Sequence, residues 1–204
     1  MDMEKLVQIL ENKGFHAAYY QDVQQLRSKV LEVLEEDHTI GFGGSVTLEQ
    51  TGILDALCQT DKTLYSLALE KKKENGNIAG VPKLGLTADA YLSSTNALTL
   101  EGELINIDGR GNRVAALTYG PDKVIVVCGT NKIVPDYKAA IDRIKKEACP
   151  KNARRLGLNL PCAKTGKCFD CNQPERICRT ISIIQSPHPS REFYVFILEG
   201  NFGY

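Results

Sequence analysis

The 204-residue sequence has no surplus of charge of either sign, no long apolar run and few histidines. Lysine plus arginine equals aspartate plus glutamate, at 25 each, so the charge gives no reason to expect a nucleic-acid or membrane partner. No apolar stretch reaches the roughly 18 residues that a membrane-spanning helix needs. The first residues, MDMEKLVQILENKGF, are charged and amphipathic and lack the apolar core of a signal peptide. We therefore expect a cytoplasmic protein.

Two common nucleotide-binding signatures are also missing from GFGGSVTLEQTG, the glycine turn at Gly41–Gly52. A Walker A loop that began at Gly41 would need Gly-Lys at positions 46 and 47, where Val46 and Thr47 stand. A dinucleotide fingerprint would need Gly or Ala at position 46 and fails for the same reason. The three histidines are far apart and none lies in a motif, so we place no general base on them.

Segments that favour helices and strands alternate through the first third of the chain. Apolar residues at helical spacing mark the helices, and short runs of β-branched and aromatic residues mark the strands. This order is typical of a mostly parallel sheet flanked by helices, so we expect an α/β fold over a single domain, residues 1–204. The predicted helices are 3–13, 22–36 and a third from the glycine turn to about Cys58, and the predicted strands are Phe15–Tyr20, His38–Phe42 and Thr63–Leu67.

The rest of the chain changes character but ends in further strands. Residues 70–85 are basic and rich in glycine, which predicts a loop or a short helix. The sequence DGRGN lies between two segments that favour strands, 103–108 and 114–119, and predicts a hairpin. The clearest buried strand is Lys123–Cys128, a continuous run of mostly β-branched residues. A helix over Asp136–Ala148 and two closing strands, Ile181–Gln185 and Phe193–Glu199, complete the predicted fold.

The glycine turn has two interpretations, an anion-binding site or a tight corner between a strand and a helix. Gly43 and Gly44 allow close approach to the backbone, and Ser45 and Thr47 stand where the helix begins. A helix start offers free N–H groups and a partial positive charge to an anion. Helix capping needs the same residues, and Thr47 with Gln50 fits a capping box, so the structural corner is the alternative.

A second polar cluster follows the strand predicted within Ala88–Leu100. In parallel sheets, ligands bind outside the carboxyl ends of the strands, so this cluster and the glycine turn are expected to face one crevice. For Asp108, Gly109 and Asn112, a role in forming a turn is as good an explanation as a role in binding. For Lys132, a solvated surface lysine is as good an explanation as a lysine that binds an anion. The candidate binding residues outside the glycine turn are Ser94, Thr95, Asn96, Asp108, Gly109, Asn112, Arg113, Asn131 and Lys132.

Glu101 is our candidate catalytic carboxylate, because it lies beside this polar cluster in the sequence. It is chosen among 25 acidic residues, and the sequence gives no second signal for it.

Four of the seven cysteines lie in one short segment with the spacing C-x5-C-x2-C-x6-C. A C-x-x-C pair lets two thiolates reach one metal, and flanking cysteines complete four ligands. We therefore expect residues 161–179, the cysteine stretch, to form a metal-binding insert that holds a [4Fe-4S] cluster or, failing that, Zn. Free thiols or a reversible disulfide are the alternative, and the spacing matches neither the ferredoxin run nor the paired zinc pattern. The predicted ligands are Cys162, Cys168, Cys171 and Cys178, while Cys58, Cys128 and Cys149 are expected to be buried, with Cys149 as a spare ligand.

Several segments together resemble a known family. GFGGSVTLEQTGILDAL, STNALTLEGELINIDGRGNRVAAL, GPDKVIVVCGTNKIV and the cysteine stretch before a final EGNFGY, in this order from about residue 3 to 204, resemble the LUD-domain proteins associated with lactate utilization. The cysteine stretch resembles that of a stand-alone subgroup of the family more closely than it resembles the corresponding segment of the lactate-operon subunit. The resemblance places the family's glycine motif on Gly43, Gly44, Ser45 and Thr47, and its polar motif on Thr95, Asn96, Asp108, Gly109, Asn112 and Arg113.

What the resemblance implies is a fold like that of the superfamily of ribose-5-phosphate isomerase, glucosamine-phosphate isomerase and CoA transferases. It also implies a part in the oxidation of L-lactate to pyruvate beside iron–sulfur partner subunits. We therefore expect a small anionic metabolite as the ligand. Two other functions stay open: a metal-stabilised accessory or binding module, and an isomerase or acyl-transfer enzyme with Glu101 as base or nucleophile.

Overall fold

Helices and strands alternate along the first half of the chain, as the sequence predicts. The structure, a computed structural model, describes residues 2–66, 69 and 80–204. The first two helices begin at aspartates, because the carboxylates of Asp2 and Asp22 accept the free N–H groups of Lys5 and Gln24. The elements as far as the fourth strand are α1 (Met3–Asn12), β1 (His16–Tyr20), α2 (Val23–Val33), β2 (Thr39–Phe42), α3 (Val46–Gln50), α4 (Ile53–Leu57), β3 (Thr63–Ser66), α5 (Val81–Leu84) and β4 (Ala90–Ser93).

The second half adds a smaller sheet and a long helical run. The helical run spans residues 137–155, has a π-helical segment at its centre and contains Pro150. Proline lacks an N–H and crowds the preceding turn, so the wider π segment just before it lets the helix continue. The elements are β5 (Ala97–Thr99), β6 (Leu104–Asp108), α6 (Asn112–Tyr119), β7 (Lys123–Gly129), a 3-10 turn (Thr130–Lys132), β8 (Ile133–Val134), α7 (Tyr137–Arg143), the π segment (Ile144–Ala148), α8 (Cys149–Arg155), α9 (Pro161–Thr165), β9 (Thr180–Ile184) and β10 (Glu192–Leu198).

Six strands form a parallel sheet in the order β1-β10-β7-β4-β2-β3. The connection after β2 leads outward to β3, whereas the connections after β4 lead to the other side, towards β7. Neighbouring strands β2 and β4 are therefore a topological switch point, where a crevice opens at the carboxyl ends of the strands. The smaller sheet has the order β8-β5-β6-β9, and its β5–β6 and β6–β9 pairs are antiparallel. The prediction of a mostly parallel α/β fold is confirmed.

Strand β7 is buried on both faces, which explains its continuous apolar sequence. Val124 and Val126 pack in one core with Leu6 and Leu117, from α1 and α6. The intervening side chains, Ile125 and Val127, pack on the opposite face in a second core with residues of α2 and α3. Because helices cover both faces, alternation of polar and apolar residues is not required in this strand.

Three predictions of local structure are wrong. DGRGN does not turn a hairpin: the carboxylate of Asp108 accepts the N–H groups of Arg110 and Gly111, and the chain enters α6 instead of a strand. Val114 and Leu117 are buried three residues apart on one face of that helix, which is the spacing of a helix. The helix predicted after the glycine turn is divided at Gly52, whose φ of 67° interrupts it. Cys58 is exposed.

Other predictions agree with the structure as far as it is described. The helix predicted over Asp136–Ala148 is present and continues to Arg155. The closing strands correspond to β9 and β10. Leu67, the predicted end of the third strand, and residues 70–79 of the predicted loop lie outside the described residues. Within the described ranges, no helix combines the length and apolar character that crossing a membrane requires.

Candidate functional site

A cavity of about 880 Å³ lies at the carboxyl edge of the parallel sheet, where the switch point predicts a crevice. Its walls come from the segments that follow β2, β4, β7 and β10, together with the β6–α6 loop and part of the cysteine stretch. We name it the strand-end cavity. Its volume lies within the range of roughly 300–1,000 Å³ that small-molecule sites occupy.

The strand-end cavity brings together most of the residues that the sequence predicts for a binding site. Asn131 is not in its lining and instead binds the segment after β10, through the N–H of Phe202 and the carbonyl of Gly203. Glu101 lies in an exposed turn between β5 and β6 and is not in the lining either. The predicted residues that do line the cavity are Gly43, Gly44, Ser45, Thr47, Ser94, Thr95, Asn96, Asp108, Gly109, Asn112, Arg113 and Lys132.

Lys132 is a buried charge in this lining, with 3% of its surface exposed. Its Nζ donates hydrogen bonds to Thr47 Oγ1 at 2.8 Å, Ser94 Oγ at 2.9 Å and the carbonyl of Thr95 at 3.2 Å. All three acceptors are neutral. Within the described part of the chain, no carboxylate lies within ion-pair distance of this amine.

The surroundings of Lys132 disfavour its charged form. Burial lowers its pKa to about 8, and the positive charges of Arg143 and Arg113 act in the same direction. The Cys128 thiol beside it opposes this shift, but burial raises the pKa of that thiol to about 11, so it stays neutral near pH 7. Because this pKa is close to neutral pH, both forms of the amine are accessible. The protonated form can bind an anion, and the neutral form can act as a base or a nucleophile.

Arg113 is a framework residue of the strand-end cavity. Its guanidinium donates to the side-chain oxygens of Asn96 and Asn106 and to the carbonyls of Ser94 and Ile107. Its Nε lies 3.5 Å from Asp108 Oδ2. Burial lowers the pKa of Arg113 and the Asp108 carboxylate opposes that shift. These contacts join the segments after β4 and β6, so Asn96, Asp108 and Arg113 shape the wall of the cavity.

The glycine turn contributes backbone and one helix cap. Ser45, not Thr47, is the N-cap of α3: its Oγ accepts the N–H of Leu48 at 3.3 Å, so the capping box expected at Thr47 is wrong. The hydroxyl of Thr47 instead donates to the carbonyl of Phe202 and accepts from Lys132. A side chain at Gly44 would lie 3.6 Å from Nη2 of Arg155, so glycine leaves the backbone open beside that guanidinium.

Sequence reasoning missed the segment after β10. Gly203 lies against Thr47 and Lys132: a Cβ atom there would collide with Thr47 Oγ1 and lie 3.1 Å from the Nζ of Lys132, and the φ of Gly203 is 67°. Tyr204 lines the cavity, and burial raises its pKa, an effect that the nearby Arg155 guanidinium opposes. The available signal was the glycine pair in EGNFGY directly after a strand, because β10 ends at the same edge as the other parallel strands.

The cysteine stretch forms one wall of the strand-end cavity. Pro174 to Ile177 and Arg179 are in the lining, and Cys178 stands between two of these residues. The guanidinium of Arg176 donates to the carbonyl and the Sγ of Cys178, at 2.9 and 3.2 Å, and to the carbonyl of Cys171. Arg176, which lines the cavity, therefore joins residues within the stretch to one another.

Five cysteines influence one another electrostatically at this wall. Hydrogen bonding between the thiols of Cys149 and Cys178 raises the pKa of Cys149, and the same bond, with Arg176, lowers the pKa of Cys178 to about 6. Burial raises the pKa of Cys162, and the nearby thiols of Cys171 and Cys168 add to that shift. Soft thiols are the right donors for zinc or an iron–sulfur cluster. Among the residues that the structure describes, however, no group of three or more His, Cys, Asp or Glu side chains is arranged to hold a metal ion.

Comparison with known proteins gives two matches. Residues 3–198 match the sequence model of the LUD domain. The crystal structure of a DUF162 family protein from Deinococcus radiodurans, at 1.70 Å resolution, has a TM-score of 0.53 to this structure and 14% sequence identity. That match covers 97% of this chain and 96% of the other, and at this identity it concerns the fold. No protein with curated annotation matches the sequence.

Proposed function

The chain belongs to the LUD domain family, and from that membership we propose that it takes part in the oxidation of a small hydroxy acid such as L-lactate. The acid would bind as an anion in the strand-end cavity. One observation carries the proposal: the ammonium group of Lys132 is buried in the cavity with neutral partners. Burial of a charge is costly unless an opposite charge compensates it, and the carboxylate of a bound acid would do so.

The charge of the cavity wall also favours an anion. Asp108 is already paired with Arg113, which reduces the negative charge that remains free to repel a carboxylate. A cleft lined mainly by one sign of charge concentrates ligands of the opposite sign. The basic side chains in the lining are Arg110, Arg113, Lys132, Arg155, Arg176 and Arg179, and the acidic ones are Asp108 and Glu175.

The hydroxyl groups around Lys132 suit the second functional group of a hydroxy acid. Thr47 and Ser94 place their oxygens within 2.9 Å of the amine, so an acid that binds the amine also meets hydroxyl oxygens that accept a hydrogen bond from the hydroxyl of the acid.

The cysteine stretch is proposed to supply the electron acceptor. Cys162, Cys168, Cys171 and Cys178 would hold a [4Fe-4S] cluster, and Cys149, hydrogen-bonded to Cys178, is available as a fifth thiol. Such a cluster, when bound, accepts single electrons. Iron–sulfur partner subunits would carry the electrons onward.

A metal-stabilised accessory module is the second candidate. The observation that favours it is that Arg176 and Arg179 donate hydrogen bonds to backbone carbonyls of the stretch, those of Cys171 and Pro174. Such bonds make the segment rigid. In that case Zn would tie down the stretch and the cavity would bind a metabolite without oxidising it. The isomerase or acyl-transfer alternative depended on Glu101, which lies outside the cavity, and no other observation favours it.

The test begins with anaerobic purification and analysis of iron, sulfide and zinc on one sample. The cluster-loaded chain is then assayed with L-lactate and other small hydroxy acids and an artificial electron acceptor, with and without iron–sulfur partner subunits. We expect oxidation that falls about 100-fold or more in Lys132→Met and is unchanged in Glu101→Gln. Loaded protein that oxidises no hydroxy acid, even with partner subunits, would overturn the proposal, and one zinc per chain would favour the accessory module.

A further inference from the structure

We propose that the amine of Lys132 forms an imine with the carbonyl carbon of a 2-oxo acid bound in the strand-end cavity. This inference rests on the proposed function in one respect, that the cavity accepts small acids of this class. It adds a covalent step, and it assigns Lys132 as a catalytic residue that bonds to the ligand.

The first argument is a contrast between two lysines at opposite ends of one strand. Lys123 begins β7, and its Nζ lies 2.8 Å from Asp37 Oδ2, the usual arrangement for a largely buried lysine. Lys132 follows the end of the same strand, is more completely buried, and has two hydroxyls and a carbonyl as partners. A lysine with a structural role is paired as Lys123 is, whereas a lysine that reacts must be able to lose its proton.

The second argument is that the neighbours of Lys132 tolerate its neutral form. The hydroxyl of Thr47 already donates to the carbonyl of Phe202 at 3.1 Å, and that of Ser94 donates to the carbonyl of Thr95 at 3.4 Å. Both hydroxyls therefore turn a lone pair towards the amine. A neutral amine still donates to both hydroxyls, and it gives up the longest bond, the 3.2 Å contact with the carbonyl of Thr95.

The two cations near Lys132 also favour its neutral form. Arg113 and Arg143 are the cations that lower its pKa, and the Cys128 thiol is the neighbour that opposes them. With a pKa of about 8, close to half of the amine is neutral at pH 8. The amine lines the cavity, so the neutral nitrogen is present where the ligand binds.

The step needs no oxidant or reductant. The nitrogen lone pair of Lys132 attacks the C2 carbonyl of the 2-oxo acid, a C–N bond forms, and the carbonyl electron pair moves to oxygen. A proton passes from nitrogen to that oxygen, with Ser94 or Thr47 as the hydroxyl that relays it, to give a carbinolamine. The nitrogen lone pair then forms the C=N bond as the C–O bond breaks, and the second N–H proton passes through the same hydroxyl to the leaving hydroxyl group, so that water departs and a neutral imine remains. A hydroxy acid has no carbonyl at C2 and cannot react in this way.

The test traps the imine by reduction. The wild-type chain is mixed with pyruvate and sodium borohydride at pH 8, and the intact mass is measured. We expect an increase of about 72 Da per chain, located on Lys132 by peptide mapping, and no increase with L-lactate. Lys123 in the same digest is the internal control and should stay unmodified. Lys132→Arg, which keeps the positive charge but cannot form the imine, should lose the adduct while keeping the fold by circular dichroism.

Calorimetric binding of pyruvate in parallel separates this inference from the proposed function. Pyruvate that binds without a trapped adduct overturns imine formation and leaves hydroxy-acid oxidation standing. An adduct spread over exposed lysines, or one retained in Lys132→Arg, also overturns it. An adduct on Lys132 in a protein that oxidises no hydroxy acid would support the imine and remove the oxidation. A protein that neither binds pyruvate nor forms the adduct overturns both.

Discussion

The amine of Lys132 lies 2.8 Å from the hydroxyl of Thr47, a residue 85 positions earlier in the chain. That hydroxyl also donates to the carbonyl of Phe202, which lies 155 positions after Thr47. One threonine therefore joins the segments that follow β2, β7 and β10. The contact places a cation from one parallel strand beside the glycine turn of another, which is the arrangement expected at a switch point.

Replacement of Thr47 by valine should destabilise the protein by about 1–2 kcal/mol, because Lys132 loses an acceptor and the carbonyl of Phe202 loses a donor at a buried site. The free energy of unfolding in urea measures the effect. Thr87→Val is the matched control, since Thr87 is exposed and, among the described residues, its hydroxyl bonds within its own turn. Equal stabilities of the two variants would contradict the joining role of Thr47.

Replacement of Arg113 by methionine should cost about 3 kcal/mol or more. The variant leaves the oxygens of Asn96 and Asn106 and two backbone carbonyls without their charged donor, and it leaves Asp108 without its cation. Arg110 lies three residues earlier and its side chain is exposed, so the free energy of unfolding of Arg110→Met should stay within about 0.5 kcal/mol of wild type. Urea unfolding distinguishes the two, and a small effect in both would show that the guanidinium is dispensable for the fold.

The depressed pKa of Lys132 predicts how stability depends on pH. Its pKa in the folded chain, about 8, is below its ordinary value of 10.5. Between these values the unfolded chain binds more protons, so this group destabilises the fold fully below pH 8 and less as the pH rises. Relative to Lys132→Met, wild type should gain about 2 kcal/mol between pH 7 and pH 9.5. A difference that is flat with pH would mean that the amine titrates normally.

That comparison requires the difference between the two proteins, not wild type alone. Burial raises the pKa of Cys128 to about 11 and that of Tyr91 to about 12. Both groups favour the folded state when neutral, so they lower stability above pH 9 and pH 10 respectively, in the direction opposite to Lys132. Urea midpoints at pH 7, 8, 9 and 9.5 cover the range in which Lys132 dominates.

Metal content should depend on the cysteine stretch and not on Cys58, which is exposed and lies outside it. We expect anaerobically purified Cys171→Ser to retain less than about half of the bound metal of wild type, because one of four thiolate ligands is lost. Cys58→Ser is the matched control and should retain all of it, since Cys58 lies outside the cluster of thiols. Elemental analysis of iron and zinc decides the question. Equal contents in the two variants would place the metal elsewhere or exclude it.

The sheet and the position of the cavity were predictable because they follow from simple physical rules. A continuous β-branched run such as Lys123–Cys128 requires a strand covered on both faces, and alternating helices require parallel neighbours. Parallel strands end at one edge, so Gly43 and Ser94 had to lie close together although 51 positions separate them.

The failures have physical causes as well. Asp108-Gly109 and Gly111-Asn112 form turns before strands and before helices alike, so only the buried spacing of Val114 and Leu117 distinguished α6 from a hairpin. Glu101 was chosen for its proximity in sequence, but β5 carries the chain away from the cavity before the turn at Gly102. No local sequence pattern predicts that Lys132 is buried with neutral partners. Its burial depends on contacts with Thr47 and Ser94, which are 85 and 38 positions earlier in the chain.

Isothermal titration calorimetry with pyruvate and with L-lactate measures most directly whether the strand-end cavity binds a small acid anion through Lys132. Lys146→Met, which removes an exposed lysine, is the control for Lys132→Met. We expect wild type and Lys146→Met to bind with a Kd of about 1 mM or tighter, and Lys132→Met to bind at least about tenfold more weakly. Absence of binding to wild type, or equal binding by all three proteins, would contradict an anion site built around Lys132.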